Sequence, residues 1–189
     1  MNTTNIMIVG VGGQGSLLAS KLLGNLLVGE GYDVKVSEVH GMSQRGGSVV
    51  TYVRYGEKVY SPIIDKGEAD VILAFEKLEA IRALPYLKKG GTIILNDMAI
   101  SPMPVITGAV SYPQNIVEDL KEKAEVISLD ALNLSLKAGS IKAINVVLIG
   151  VLAKSLEIEK ETWLNVIKST VPEKFLDLNI KAFELGYNL

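Results

Sequence analysis

Apolar and polar positions alternate along this chain in blocks that spell out an α/β order. Residues Asn5–Gly10 (NIMIVG) form a short β-branched run that ends in glycines, and Leu17–Val28 follows with apolar residues on most faces of a helix, so strand, tight turn and buried helix are expected. A Gly29–Gly31 break precedes a second strand over Tyr32–Glu38. Ser48–Arg54 and Lys58–Ser61 flank Tyr55-Gly56-Glu57 and predict a β-hairpin with a glycine turn. Ala69–Phe75 is apolar apart from Asp70, as suits a parallel strand covered on both faces. A helix from about Glu76 to Ala83 is interrupted by Pro85, and Thr92–Leu95 gives another strand after Gly90-Gly91.

The second half is read the same way. Three prolines and a glycine cut Met98–Pro113 into short pieces; Asn115–Ala124 predicts a charged helix, Glu125–Ser128 a strand and Ala131–Leu136 a short helix. Ile141–Leu156 predicts an apolar helix whose single asparagine, Asn145, must be hydrogen-bonded if buried. Two helices close the chain: Lys160–Ser169, with Trp163 and Ile167 on one face, and a last one from Val171-Pro172 to about Leu185, stopped by Gly186. Phe175, Leu176, Ile180, Phe183 and Leu185 are its expected buried or partner-facing side. The fold class is therefore α/β: a three-layer Rossmann-like open sheet, mostly parallel with an antiparallel hairpin, and C-terminal helices. With 189 residues and no linker or repeat, residues 1–189 are expected to form one domain.

Composition narrows the partners. Apolar residues make up 48% of the chain, which leaves surface for another subunit, and self-association into a homodimer stays open. A net charge of -2 without basic clusters argues against nucleic acid. No apolar stretch approaches the roughly 18 residues of a membrane span. The N-terminal MNTTN has neither the basic start nor the cleavage site of a signal peptide, so no membrane and a cytoplasmic location are expected. The absence of cysteine excludes disulfides, thiolate-held iron–sulfur clusters and cysteine zinc sites, and no metal site is predicted.

Two stretches concentrate chemistry. Gly10-Val11-Gly12-Gly13-Gln14-Gly15 fits G-x-G-x-x-G at the end of the first strand, where glycines permit close backbone approach and a helix N-terminus offers amides to a phosphate. Glycines serving only close strand–helix packing is the alternative. Ser37–Val50 (SEVHGMSQRGGSVV) holds the only histidine, His40, with Glu38, Arg45, Gln44, three serines and three glycines, and is read as a ligand or active-site loop. Arg45 suits a phosphate or carboxylate bidentately. His40 needs a partner such as Glu38, which shares its side only if the segment is extended. Glu38 lies 23 residues past Gly15, where a dinucleotide fold places an acid on the ribose, so a stand-alone Rossmann-like nucleotide-binding module remains a second reading. Asn96-Asp97, at the exit of a strand, is either ligand-facing or a cap. No nucleophile triad or P-loop lysine is present, so the chain is equipped to bind an anionic group, not to perform hard chemistry alone.

The GVGGQG turn, the EVHGMSQRGGSV run at Glu38–Val49, YSPII at Tyr60–Ile64, Glu68–Leu87, GGTIILN at Gly90–Asn96, Asn145–Ala153 and Lys174–Tyr187 together resemble the gamma domain of 2-oxoacid:ferredoxin oxidoreductases over nearly the whole chain. The resemblance, nearest to the branch acting on indolepyruvate or another aryl pyruvate, implies a non-autonomous enzyme subunit that serves oxidative decarboxylation of a 2-oxoacid to an acyl-CoA, with electrons passed to ferredoxin. It implies coenzyme A as co-substrate and no cofactor held by this chain alone. Thiamine diphosphate and iron–sulfur clusters would sit on a larger partner subunit, which agrees with the missing cysteines, and ferredoxin would be met through the complex. Carried over by position, it marks His40 and Arg45 as candidate catalytic residues. It marks Gly10, Gly12, Gly13, Gln14, Gly15, Glu38, Gly41, Ser43, Gln44 and Gly46 as candidate cofactor-binding residues.

Overall fold

The computed structural model describes residues 3–41 and 46–189. Its centre is a six-stranded sheet in the order β2-β3-β1-β4-β5-β6. The strands are β1 (Thr4–Val11), β2 (Asp33–His40), β3 (Ser48–Gly56), β4 (Ala69–Ala74), β5 (Leu87–Asn96) and β6 (Glu125–Leu129). β1, β4, β5 and β6 pair in parallel, whereas β3 runs antiparallel to both β1 and β2. Five strands thus point their carboxyl ends to one edge, the side where open α/β sheets gather ligands.

The antiparallel hairpin exists, but between different strands from those expected. β3 continues through Tyr55 to Gly56 and folds back on β2, with Asp33 opposite Gly56 and His40 opposite Val49. Lys58–Ser61 is not a strand; instead the Asp33 carboxylate accepts from the Val59 amide at 3.0 Å and holds Lys58 at 3.6 Å, tying that segment down as a loop. The polar loop is correspondingly shorter, because β2 runs two residues beyond Glu38 and β3 begins at Ser48.

Helices cover both faces. One layer comprises α1 (Ser16–Gly29), α5 (Ala131–Ala138), α6 (Ile144–Ala153), α7 (Lys160–Thr170) and α8 (Leu176–Tyr187). It encloses the larger core, with Ile6, Ile8, Leu22, Leu26, Val53, Leu73, Val147, Trp163 and Phe183. The other layer, α2 (Lys77–Ala83) and α4 (Ile116–Lys121), packs Ala80, Ala83, Ile116 and Leu120 on Met7, Val9, Ile72 and Ile93. A four-residue helix, α3 (Met103–Ile106), lies in the proline-rich excursion between β5 and α4.

α6 is buried on every side from Asn145 to Ala153, which explains its lack of charge. Gly186 does not end α8 but lies within it against α6. A Cβ at Gly186 would stand 2.0 Å from the Val147 carbonyl oxygen, and one at Gly150 would stand 2.2 Å from that of Phe183. The two helices therefore meet backbone to backbone. This crossing buries Asn179, Ala182, Phe183 and Gly186; Leu176, Ile180 and Leu185 pack half-buried against the core as expected, and of the expected face Phe175 is exposed. Among the described residues, no helix is long and apolar enough to cross a membrane.

Candidate functional site

The glycine turn is where the carboxyl edge opens. Gly15 precedes α1 with φ +88°, a left-handed conformation that glycine adopts without strain, and no side chain caps the helix. A Cβ on Gly15 would lie 2.6 Å from Asn145 Nδ2, which donates to the Gly15 carbonyl at 3.2 Å while Asn145 Oδ1 accepts from Val146 N at 2.9 Å. Asn145 thus has a structural role: it locks the turn onto α6.

Gln14 is equally committed. Its Oε1 accepts from the Val11 amide at 2.7 Å and its Nε2 donates to the Phe75 carbonyl at 3.1 Å. Asn96 Nδ2 donates to the same carbonyl, and Asn96 Oδ1 accepts from Ala131 N, each at 3.1 Å. The two carboxamides staple the ends of β1, β4 and β5 to the start of α5. Asn96 is accordingly a buried tie, while Asp97 pairs with Lys77 at 2.8 Å. Gly10 is packed under Gln14 and Phe75 and faces no cleft.

Two recesses flank the turn. The first, about 360 Å³, is lined by Gly12, Gly13, Gly15, Ser16, Leu17, Glu38, His40 and Val49. Because β2 is extended here, Glu38 and His40 do share a face, and both are exposed. Glu38 accepts from the Thr51 hydroxyl at 3.2 Å. Among the described residues His40 has one polar contact, at 3.4 Å to the Gly41 carbonyl, and it lines the recess as an exposed side chain. Gly15, Ser16 and Leu17 at the head of α1 line the same recess and no side chain caps that helix end, an arrangement suited to an anion. The second recess, about 500 Å³, lies on the α6 side of the turn and is mostly apolar.

The polar loop is rooted in this turn. Gly12 N donates to the Gly47 carbonyl at 2.8 Å and Gly46 N donates to the Gly12 carbonyl at 3.3 Å, so the glycines of both motifs are joined by backbone hydrogen bonds. Met42, Ser43, Gln44 and Arg45 lie outside the described residues.

This geometry separates the site from a dinucleotide grip. β3 is inserted between β1 and β2, placing Glu38 two strand spacings, about 10 Å, from the glycine strand. In the dinucleotide fold the acid-bearing strand is the immediate neighbour. The Gly12 amide, moreover, is engaged by Gly47.

Sequence reasoning missed a buried carboxylate pair beneath the edge. Glu76, 1% exposed, caps α2 by accepting from Glu79 N at 2.9 Å, and its other oxygen accepts from Ile100 N at 2.9 Å and from the Tyr112 hydroxyl. Burial, and next the hydrogen bond to Glu76, hold the Tyr112 phenol well above its ordinary value. Glu79 accepts from Ser48 Oγ and from Arg82 at 2.6 Å, tying α2 to the first residue of β3. The one sequence signal was an acid directly after an apolar parallel strand. Among the described residues no group of three or more His, Asp or Glu could hold a metal.

Comparison with known proteins now decides the family. The profile of pyruvate ferredoxin/flavodoxin oxidoreductase matches residues 5–189. The chain belongs to this oxidoreductase family. It is 46% identical to the indolepyruvate oxidoreductase subunit IorB of Thermococcus kodakarensis, covering 98% of this chain and 95% of that one. It is 45% identical to the IorB subunit of Pyrococcus horikoshii over the same shares. In fold it is similar to the gamma subunit of a keto/oxoacid ferredoxin oxidoreductase from Geobacter sulfurreducens, with a TM-score of 0.72, 23% identity, and coverage of 98% of this chain and 96% of that one. Within the family, the glycine turn and the root of the polar loop form one hydrogen-bonded unit here.

Proposed function

We propose that this chain, acting as one unit over residues 1–189, is the small subunit of a ferredoxin-dependent oxidoreductase that decarboxylates indolepyruvate or another aryl 2-oxoacid and yields an acyl-CoA. The observation that carries the reading is the joint between Gly12 and Gly46–Gly47, which seats the EVHGMSQRGG run on the turn at the head of α1. Near end-to-end identity with indolepyruvate oxidoreductase subunits supports the substrate class.

In this reading a larger subunit holds thiamine diphosphate, which supplies the electron sink for decarboxylation, and the iron–sulfur clusters that lead to ferredoxin. A chain with no cysteine does not supply thiolates for such clusters. Coenzyme A suits the first recess chemically: the backbone amides of Gly13, Gly15 and Ser16 match its phosphates and His40 lines the same wall. The sequence adds Arg45, whose guanidinium is the charged partner proposed for those phosphates. Glu38, Gly41, Ser43, Gln44 and Gly46 complete the residues assigned to this coenzyme in the reading. Gly10 and Gln14 serve by holding the turn and not by touching the ligand.

The test is co-purification with the larger subunit, followed by anaerobic reduction of ferredoxin or a viologen dye by a series of 2-oxoacids with and without coenzyme A. Aryl oxoacids should give the highest kcat/KM, and Arg45→Ala should raise the KM for coenzyme A about tenfold or more, the loss of a bidentate charged contact. An unchanged KM and kcat in Arg45→Ala would remove the arginine from the site.

A further inference from the structure

The second recess carries a separate assignment. It is bounded by Leu18, Met98, Ile100, Leu132 and Ile144, with the glycine turn as its floor, and its volume of about 500 Å³ lies in the range of small-molecule sites. Its two carboxamides are unavailable, because Gln14 and Asn145 use their polar atoms to hold the turn. Among the described residues that line it, Lys142 is the one with a charged side chain and none is an acid. Lys142 makes no ion pair among the described residues. A mostly apolar bowl with a single cation at its mouth selects for an apolar body carrying one negative charge, while a polyanion would leave most of its charge facing hydrocarbon.

We infer that this recess binds a hydrophobic carboxylic acid, aromatic or branched aliphatic, with its carboxylate at Lys142 and its body against Met98, Ile100 and Leu132. Every residue named in its lining comes from this chain. It lies across the glycine turn from the Glu38–His40 recess, so an occupant would press on the backbone that shapes that recess from the other side.

The probes are phenylacetate and indole-3-acetate, which do not react, and phenylacetamide as the uncharged counterpart, titrated into the purified full chain by ligand-observed and ¹⁵N NMR. Saturable binding is expected, with shifts at Leu18, Ile100 and Ile144, with the acid at least about fivefold tighter than the amide, and weakening as salt is raised. Lys142→Glu, at an exposed position, should remove the preference for the acid, whereas Lys181→Glu, an exposed charge reversal on α8, should not. Three results would overturn the assignment: no saturable binding by the full chain; equal affinity for acid and amide; or loss of binding when the larger subunit is added, which would make the recess a socket for that subunit. Because the readout is binding to the isolated chain, it is independent of whether the assembled enzyme turns over aryl oxoacids.

Discussion

Gln14 and Asn96 donate to one and the same acceptor, the carbonyl oxygen of Phe75, each at 3.1 Å. That oxygen lies just past the end of β4, where a parallel strand leaves its carbonyl without a ladder partner unless a side chain arrives. Two carboxamides from two other strand ends satisfy it and fix the spacing of β1, β4 and β5 at the edge that bears the site. Gln14→Ala leaves the Val11 amide as the orphan, since Phe75 keeps Asn96, and should lower stability by about 1–3 kcal/mol. Gln14→Glu restores the acceptor but not the donor and should recover only part of the loss. Urea unfolding of both variants is the check; two unchanged midpoints would show that the staple is idle.

The α6–α8 crossing makes a sharper prediction. Alanine at Gly186 or Gly150 places a methyl 2.0 or 2.2 Å from a carbonyl oxygen of the facing helix, and backbone cannot swing aside as a flexible side chain can. The helices must separate, opening the Trp163–Phe183 stack, whose ring centroids are 6.0 Å apart. A loss of at least about 3 kcal/mol is expected, at the upper end for overpacking. Gly29→Ala, where a Cβ meets nothing within 4 Å, should change the urea midpoint little by comparison.

Asp33 fixes the sign of an acid effect at the start of β2. Its carboxyl is lowered to about 2, first by the hydrogen bond from Lys35 and next by the Val59 amide. A carboxyl held below its unfolded value of about 3.9 stabilises the fold above that value, and the contribution is lost as pH falls from about 4 through 2. Asp33→Asn should therefore melt at a lower temperature than the parent at pH 7, and the gap should close as the pH approaches 2. Raising the salt at pH 7 should narrow the same gap, because the pair is reached by solvent. A gap that stays constant from pH 7 to pH 2 would contradict the pairing.

Much of this was legible in the chain itself. The order of strands and helices followed from short apolar runs broken by glycine and proline, and the glycine turn was expected after the first strand, where the structure has it, at the carboxyl edge of the sheet. The partner of β3 was not legible. Tyr55-Gly56-Glu57 has good turn chemistry, but pairing with both β1 and β2 buries Val49, Thr51, Val53 and Tyr55, and this long-range burial outweighs a local turn. The end of α8 was misjudged for a related reason: Gly186 is there for the close approach of α6, a tertiary requirement that looks like a stop signal when read locally. Gln14 was marked for the cofactor through the family resemblance, and the bonds its carboxamide makes to Val11 and Phe75 depend on tertiary positions that the sequence does not display.

Glu76 and Tyr112 supply the last test. One Glu76 oxygen gathers the Ile100 amide and the Tyr112 hydroxyl, so a single buried carboxylate closes both ends of the excursion that carries α3. The raised phenol pKa keeps Tyr112 protonated, and hence donating, across the working pH range. Tyr112→Phe removes one donor from a carboxylate that water scarcely reaches, leaving Ile100 to serve that oxygen, and should cost about 1–3 kcal/mol. The excursion packs little of its own surface, none of α3 being buried, so the loss should appear there before it appears globally. Hydrogen exchange should therefore quicken at Val105, Ile106 and Thr107 in Tyr112→Phe while the amides of β1 and β4 stay protected. Uniform quickening across the sheet would mean instead that Glu76 supports the core as a whole and that the excursion is not held separately.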